Sequence, residues 1–285
     1  TYQVPPFQRP FSWSEGNFED LIDDIVSAFE NEVPDHTRDE GHLRDESGDY
    51  PYSINDMEPY FLGSLILKKT ESGPARYDVI DGQQRLTSLS ILIAVLRDLM
   101  QDEWDDIVGR GWVDTLHEYI YVSGSLTGGT QEMIRLHVRD RESTFYKQNV
   151  LERGATTNPP GKGQNGLPDP QDRIPTSIDV FKTYLTNWVD EGGDPTLLIP
   201  YLTLRVAMVK IETYSLQSAF RLFNVTNARG TPLTNADLLK SENLRVIPED
   251  QREEYSNTWE QIESDLDNDG LEELIGLMRH IKIKD

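Results

Sequence analysis

The stretch Tyr77-Asp78-Val79-Ile80-Asp81-Gly82-Gln83-Gln84-Arg85-Leu86 decides the fold, because it changes from strand to helix within a few residues. Residues 77–80 have the β-branched, apolar character of a strand, and helical spacing follows in Leu86, Leu89, Ile93 and Leu96. The N–H groups of the first helical turn and the positive end of the helix dipole would face the short turn between them, where Gly82 lets a ligand approach the backbone. The sequence therefore predicts an anion site, with phosphate as its natural ligand.

Each polar residue of this turn has a candidate chemical role. The Asp81 carboxylate could hold a ribose hydroxyl or a metal ion, or it could simply cap the helix. Gln83 and Gln84 supply donors and acceptors, and Arg85 carries a guanidinium fork that suits phosphate. We therefore expect Asp81, Gln83, Gln84 and Arg85 to carry the chemistry, Gly82 and Arg85 to hold phosphates, and Asp81 to be the candidate metal ligand.

Two other segments carry polar residues in unusual settings. Three prolines predict that Tyr2–Trp13 is extended and stiff, so that Gln8 and Arg9 could hold a flat or anionic ligand, although both could instead satisfy backbone groups. Farther along, Phe220–Gly230 gathers more polar groups at one predicted helix end than a C-cap needs. Its asparagines could be ordinary helix-end residues, but we expect the wall of a site to contain Asn224, Asn227 and Arg229.

The predicted order of elements is typical of an α+β fold, with a small mixed sheet and helices followed by a mostly helical second part. The predicted strands are Tyr60–Lys68 and Arg76–Ile80, which would pair as a hairpin, then Glu132–Arg139 and Arg205–Glu212. The predicted helices are one capped by Ser14 or Asn17 with a buried stripe at Phe18, Leu21, Ile22, Ile25 and Phe29, then Gln84–Gln101, Ser143–Glu152, Ser177–Asp190, Leu216–Asn224, Ala236–Arg245, Glu249–Leu266 and Leu271–Ile281.

Loop composition predicts the domain organisation. Asn31–Glu58 is an acidic surface insertion, and Gly154–Asp172 is rich in Gly, Pro, Asn and Thr. We therefore expect an α+β core in residues 1–153 and a mainly helical part in residues 173–285, separated by the loop 154–172. The chain starts without Met and stops just after a helical pattern, so we expect it to be part of a longer protein.

Composition excludes several classes of protein. The chain has 285 residues and no cysteine, which rules out disulfides, zinc–thiolate sites and thiol catalysis, and favours a cytoplasmic location. No run approaches the length of a membrane span. Fifty acidic residues against 27 basic ones give a formal net charge of -23. Such a dispersed acidic surface suits a halophilic source, although an ordinary acidic protein is the alternative. Any contact with DNA would need clustered arginines, for which the candidates are Arg9, Arg85, Arg221 and Arg229.

Three segments in this order resemble the N-terminal domain of the GmrSD-type restriction endonucleases, the family that includes GmrS and SspE. They are Tyr2–Trp13, then Phe61-Leu62-Gly63-Ser64 with Val79–Thr87, then Phe223-Asn224 through Gly230-Thr231-Pro232-Leu233. The resemblance implies a ParB/sulfiredoxin-like nucleotide-binding fold, in which the Asp-Gly-Gln-Gln-Arg motif is the family's signature for hydrolysis of nucleoside triphosphates. Residues 81–85 match that motif at every position.

The resemblance also implies partners and cofactors. Family members belong to modification-dependent, type IV-like defence systems against phage DNA. GmrSD acts on glucosylated hydroxymethylcytosine DNA and SspE responds to phosphorothioate DNA, and a C-terminal HNH-like domain cuts in both. The expected ligands are GTP, CTP or ATP with Mg²⁺, and the expected partners are modified phage DNA, the nuclease domain and a second copy in a homodimer. The histidines of this chain are scattered, so we expect the nuclease beyond Asp285.

Three functions follow as hypotheses. The first is a nucleotide-binding and nucleotide-hydrolysing sensor, in which Gln83 or Gln84 orients a water. The second is a non-catalytic module that reads modified DNA through Tyr2, Gln3, Val4, Pro5 and Pro6. A phosphotransferase is the third, and it would need an acceptor that the sequence does not indicate.

Overall fold

The computed structural model describes residues 1–33, 53–70, 76–102, 104, 111–122, 133–160, 169–226, 236, 239–240, 243, 246–248 and 251–282. The fold is mixed, with many helices and a five-stranded sheet that contains both parallel and antiparallel pairs. This confirms the predicted α+β class. The predictions for residues 71–74 and 227–235 lie outside the described residues.

The bounds of the elements follow the chain in this order. The helices are α1 (Glu15–Glu32), α2 (Gln83–Asp102), α3 (Gly111–Ile120), α4 (Asp140–Tyr146), α5 (Asp169–Asp190), α6 (Pro195–Leu204), α7 (Leu216–Thr226) and α8 (Arg252–Lys282). A 3-10 turn lies at Ile54–Asp56 and a π-helical turn at Lys147–Leu151. The strands are β1 (Tyr2–Gln3), β2 (Tyr60–Lys69), β3 (Tyr77–Asp81), β4 (Tyr121–Val122), β5 (Met133–Ile134), β6 (Leu136–His137) and β7 (Val206–Thr213).

The chain folds into two compact units that alternate along the sequence. Unit 1 contains Thr1, Phe11–Leu65 and Gly82–Ile211, and unit 2 contains Tyr2–Pro10, Ile66–Asp81 and Glu212–Asp285. The described residues of the segment 154–172 belong to unit 1. The predicted separation of residues 1–153 from residues 173–285 stays a prediction.

The core of unit 1 is built around α1. Its buried residues are Phe18, Leu21, Ile22, Ile25, Val26 and Phe29, which confirms the predicted stripe. Phe18 makes an edge contact with Phe181 of α5 at 5.9 Å between ring centroids. Ser14 is the N-cap of the helix, so of the two predicted caps the structure confirms Ser14, and the backbone N–H of Ser14 donates to Oδ1 of Asn17 at 3.0 Å.

A buried ion pair ties the middle of α2 to the segment that follows the π-helical turn. Nε of Arg97 donates to the carboxylate of Asp98 at 2.7 Å, and the Arg97 guanidinium also donates to backbone oxygens of Val150, Leu151 and Glu152. Asp98 accepts from the N–H groups of Gly154 and Thr156 and from the Thr156 hydroxyl. The pair therefore satisfies backbone groups on both sides of residue 153.

Unit 2 contains the paired strands β1, β3 and the end of β2. In this unit β3 runs parallel to β1 and antiparallel to Ile66–Lys69 of β2, which confirms the predicted hairpin. Leu67 and Val79 lie opposite each other and both are fully buried. Phe7 contacts Phe220 of α7 edge-on at 6.0 Å. The sheet and α7 thus share one small apolar core.

Several predicted boundaries were wrong. Tyr2–Trp13 is not extended throughout, because a turn closed by the N–H of Gln8 donating to the Pro5 oxygen interrupts it. The predicted strand Glu132–Arg139 is divided at Arg135, whose side chain turns away to donate to the backbone oxygens of Glu118 and Tyr121. The contacts of one long side chain here override the local strand pattern.

The helical boundaries also differ from the sequence pattern. Helix α5 begins at Asp169, within the predicted loop, because Pro175 lies inside the helix instead of ending it. The predicted helices Glu249–Leu266 and Leu271–Ile281 are one helix, α8, with Gly270 in its interior. A helical glycine costs only about 1 kcal/mol, which a long packed helix can absorb. Asn31 and Glu32, predicted in the insertion, belong to α1, and residues 34–52 of that insertion lie outside the described residues.

Candidate functional site

The turn before α2 is as short as the sequence predicts. Strand β3 ends at Asp81, α2 begins at Gln83, and Gly82 is the single residue between them. Gly82 has a φ of +89°, and a Cβ built there would lie 2.3 Å from Cδ2 of Leu65. Its carbonyl accepts from the N–H of Leu86 at 3.0 Å, so the helical bonding starts directly at this glycine. Only glycine can both adopt this positive φ and fit into the space beside Leu65.

Arg85 is held by the backbone of β2. Its Nη1 donates to the oxygen of Leu62 and its Nη2 donates to the oxygen of Ser64, both at 3.0 Å. The residue between these carbonyls is Gly63, with a φ of +113°, and a Cβ built there would lie 1.9 Å from Nη1 of Arg85. The guanidinium group therefore packs against β2 at a position where the strand has no side chain. Its plane is fixed while its charge stays one helical turn from Gly82.

Gln84 connects the same turn to the start of unit 1. Its Oε1 accepts from the backbone N–H of Ser12 at 3.0 Å and from that of Trp13 at 3.3 Å. The carbonyl end of the amide thus fixes the segment before α1. Gln83, the first residue of α2, is half-buried. The sequence could not show this contact of Gln84.

In unit 2, Gln8 is buried and Arg9 is exposed. Nε2 of Gln8 donates to the backbone oxygen of Ile80 at 2.9 Å, so the side chain joins the turn at residues 5–8 to the end of β3. Satisfying a backbone group was the alternative role considered for Gln8. A contact of Gln8 or Arg9 with a nucleotide stays a prediction.

The five residues predicted to read DNA contribute to the sheet of unit 2. Tyr2 and Gln3 form β1 and pair with Tyr77 and Asp78, and the rings of Tyr2 and Tyr77 stack at 5.9 Å. Val4 and Pro5 are buried, and Pro6 is half-buried. Tyr2 and Gln3 are half-buried as well, so three of the five side chains are partly accessible, and reading of DNA by this segment stays a prediction.

The structure gives less information on the candidate metal ligand Asp81 and on the predicted wall of Asn224, Asn227 and Arg229. Asp81 ends β3 opposite Ile66, and the described residues hold no group of three or more His, Cys, Asp or Glu side chains that could hold a metal ion. The protein groups on view thus form no cage for Mg²⁺, which usually keeps waters and takes phosphate oxygens. Asn224 lies in the last turn of α7, and its side chain, like Asn227 and Arg229, lies outside the described residues.

The structure shows two residues, Gly63 and Lys240, whose settings were not predicted from the sequence. Gly63 was quoted only as part of a motif, although a glycine inside an apolar strand is itself a signal of close approach. Lys240 of unit 2 is only 2% exposed, which requires a partner for its charge. A single lysine next to two leucines gave no signal of this burial.

Comparison with known proteins agrees with the motif. The sequence model of the GmrSD restriction endonuclease N-terminal domain matches residues 1–244, which include all three resembling segments. No curated protein matches the chain. Within the described ranges, no helix combines the length and apolarity that crossing a membrane requires. The chain therefore belongs to the family of the GmrSD restriction endonuclease N-terminal domain, a component of restriction systems.

Proposed function

We propose that this domain binds a nucleoside triphosphate at Gly82–Arg85 and hydrolyses it, and that turnover controls the nuclease domain that the family implies. One observation carries the proposal. A single glycine with a φ of +89° leads from β3 directly into a helix of 20 residues, so the N–H groups of residues 83–85 stand at the positive end of a helix dipole. Phosphate oxygens are the usual ligands of such a terminus.

In this proposal the side chains of the motif have separate roles. Arg85 neutralises phosphate charge, since its guanidinium is fixed beside the turn by the carbonyls of residues 62 and 64. Gln84 positions the chain before α1 through Ser12 and Trp13. Gln83 or Gln84 is the amide proposed to orient the attacking water, a task that glutamine performs in other nucleotide hydrolases. Mg²⁺ would arrive on the phosphates of the nucleotide, with Asp81 as the candidate protein ligand.

Binding and phosphate release test the proposal. Labelled GTP, CTP and ATP, each with Mg²⁺, are titrated into the full chain and into Arg85→Ala and Arg85→Lys. Loss of a charge-assisted phosphate contact costs about 1.5–3 kcal/mol, so Arg85→Ala should bind at least tenfold more weakly, with Arg85→Lys between the two. Unfolding curves of the same samples separate loss of the site from loss of the fold. Equal, weak binding by all three proteins contradicts the phosphate assignment.

The alternative of a non-catalytic DNA reader has weaker support. Val4 and Pro5 are buried, and a net charge of -23 disfavours DNA. Phosphate release measured with and without modified duplex distinguishes the two functions. Release that never exceeds the blank, together with tight binding of the duplex, favours the reader.

A further inference from the structure

Helix α8 presents a row of exposed apolar side chains. Tyr255, Ile262, Leu266 and Leu277 are between 37% and 57% exposed. Their spacings of 7, 4 and 11 residues each lie close to a whole number of helical turns, so the four side chains share one face. The row is about 33 Å long at the rise of an α-helix.

Another side of α8 packs against the rest of unit 2. Ser256 and Leu271 are 8% and 4% exposed, and the Ser256 hydroxyl lies 3.5 Å from the backbone oxygen of Pro6. These two residues lie well away from the apolar row in helical projection. Leu274 and Met278, which are 40% and 55% exposed, lie on that same side, so exposed apolar surface continues beyond the row, and the row takes no part in these two contacts.

Acidic residues far outnumber basic residues in α8. The helix carries nine acidic residues, namely Glu253, Glu254, Glu260, Glu263, Asp265, Asp267, Asp269, Glu272 and Glu273, against Arg252, Arg279 and Lys282. The exposed carboxylates of Glu254 and Asp265 lie on one side of the row. The exposed Glu273 lies within the row itself, five helical turns from Tyr255. An apolar row with carboxylates in it and beside it is complementary to an apolar row that carries positive charge.

We propose that the exposed face of α8 docks a basic amphipathic helix of a partner protein. The helix begins after residue 244, where the match to the family domain ends, so the surface is additional to the nucleotide site. Nucleic acid does not fit, because its phosphates would face the carboxylates. A second copy fits poorly, because it would bring two sets of nine acidic residues together.

Two synthetic peptides of one composition test this surface. Both contain about 21 residues of leucine and lysine, about six turns of helix, and only one has its leucines in a single stripe. Labelled peptide is titrated with the full chain at salt concentrations of about 0.15 M and about 1 M, where charge is progressively screened. The same titrations use Leu266→Gln/Leu277→Gln, and a control that removes exposed apolar side chains from unit 1, Phe61→Gln/Leu204→Gln.

The striped peptide should bind the wild type and the control at least tenfold more tightly than the shuffled peptide, and the row variant should lose that preference. Circular dichroism checks that α8 persists, and Ile262→Gln, with one change only, should show a smaller loss of the same kind. Equal binding of both peptides, no binding of either, or an unchanged row variant overturns the proposal. So does a wild type that dimerises in light scattering while the row variant is a monomer, since a second copy is then the occupant.

Discussion

Two arginines of α2, twelve positions apart, use the same chemistry for different ends. Arg97 is fully buried, paired with Asp98, and donates to three backbone oxygens around residue 151. Arg85 is half-buried and donates to two backbone oxygens on either side of Gly63. One guanidinium lies inside the core of unit 1, and the other lies at the helix terminus that carries the family motif.

The difference is one of exposure. A buried arginine whose charge is neutralised within the core is out of reach of a ligand, so its role is structural. A half-exposed arginine at the positive end of a helix adds its charge to the dipole and favours an anion there. Backbone bonds therefore do not disqualify Arg85 as a phosphate ligand, because they fix the direction of its fork. Substitutions at the two places should accordingly separate stability from binding.

The largest loss of stability is expected for Asp98→Ala. The change leaves the Arg97 guanidinium buried without its carboxylate and removes the acceptor for Gly154 and Thr156. We expect about 3–5 kcal/mol less free energy of unfolding, measured by urea denaturation. Asp114→Ala is the control, because Asp114 is 74% exposed in its pair with Arg153 and should matter by less than about 1 kcal/mol. A similar effect of the two changes would mean that burial does not distinguish the pairs.

Gly63→Ala should destabilise the protein less, yet it should act on the site. The new Cβ would lie 1.9 Å from Nη1 of Arg85, so the fork must move. We expect a loss of about 2–3 kcal/mol from strain and displaced hydrogen bonds, together with weaker nucleotide binding. The matched control is Gly192→Ala, because Gly192 has a φ of +102° but nothing within 4 Å of its Cβ position. If both variants lose the same stability and bind nucleotide alike, Gly63 is needed only for its positive φ and not for the space that it leaves to Arg85.

Gln84→Leu should cost about 1–2 kcal/mol. The leucine cannot accept from the N–H groups of Ser12 and Trp13, so the segment before α1 should loosen. Hydrogen exchange at these two amides measures the change locally. Slow exchange that survives in the variant would show that the glutamine does not hold this segment.

The smallest effect is expected for Tyr146→Phe, and it depends on pH. The Tyr146 hydroxyl donates to the Ser90 hydroxyl of α2 at 2.7 Å, so its loss should cost about 1 kcal/mol at neutral pH. Burial raises the pKa of Tyr146 above its ordinary value of 10.0. The folded state thus keeps the proton that the unfolded state releases, and stability falls as the pH rises above about 10. Unfolding curves between neutral and alkaline pH should show a smaller alkaline loss for the variant, and identical slopes would contradict the burial argument.

The sequence predicted those parts of the fold in which local pattern and tertiary packing agree. The buried stripe of α1, the hairpin of β2 and β3 and the one-residue turn at Gly82 all follow from periodicity and glycine. Arg135, Pro175 and Gly270 were misread because the prediction followed local propensity. It continued a strand through Arg135 and ended helices near Pro175 and Gly270, whereas distant contacts or helix length outweighed that propensity.

The candidate site was predictable in its residue types but not in its geometry. The motif at residues 81–85 identified the turn, yet only the hydrogen bonds show that Gln84 contacts the segment before α1 and that Arg85 contacts β2. Those bonds join residues that are at least 21 positions apart, beyond the reach of any local pattern. Asn227 and Arg229, outside the described residues, stay predictions from the motif alone.

One substitution tests the central claim that this turn binds phosphate, because it should weaken nucleotide binding without lowering stability. Gln83→Glu places a negative charge at the first residue of α2, where it suits the helix dipole but repels phosphate. Gln217→Glu makes the same change near the start of α7 as the control. Titration with labelled nucleotide should show at least tenfold weaker binding for Gln83→Glu alone, with its unfolding midpoint unchanged or raised. Binding by Gln83→Glu as tight as that of the wild type would contradict a phosphate site at this turn.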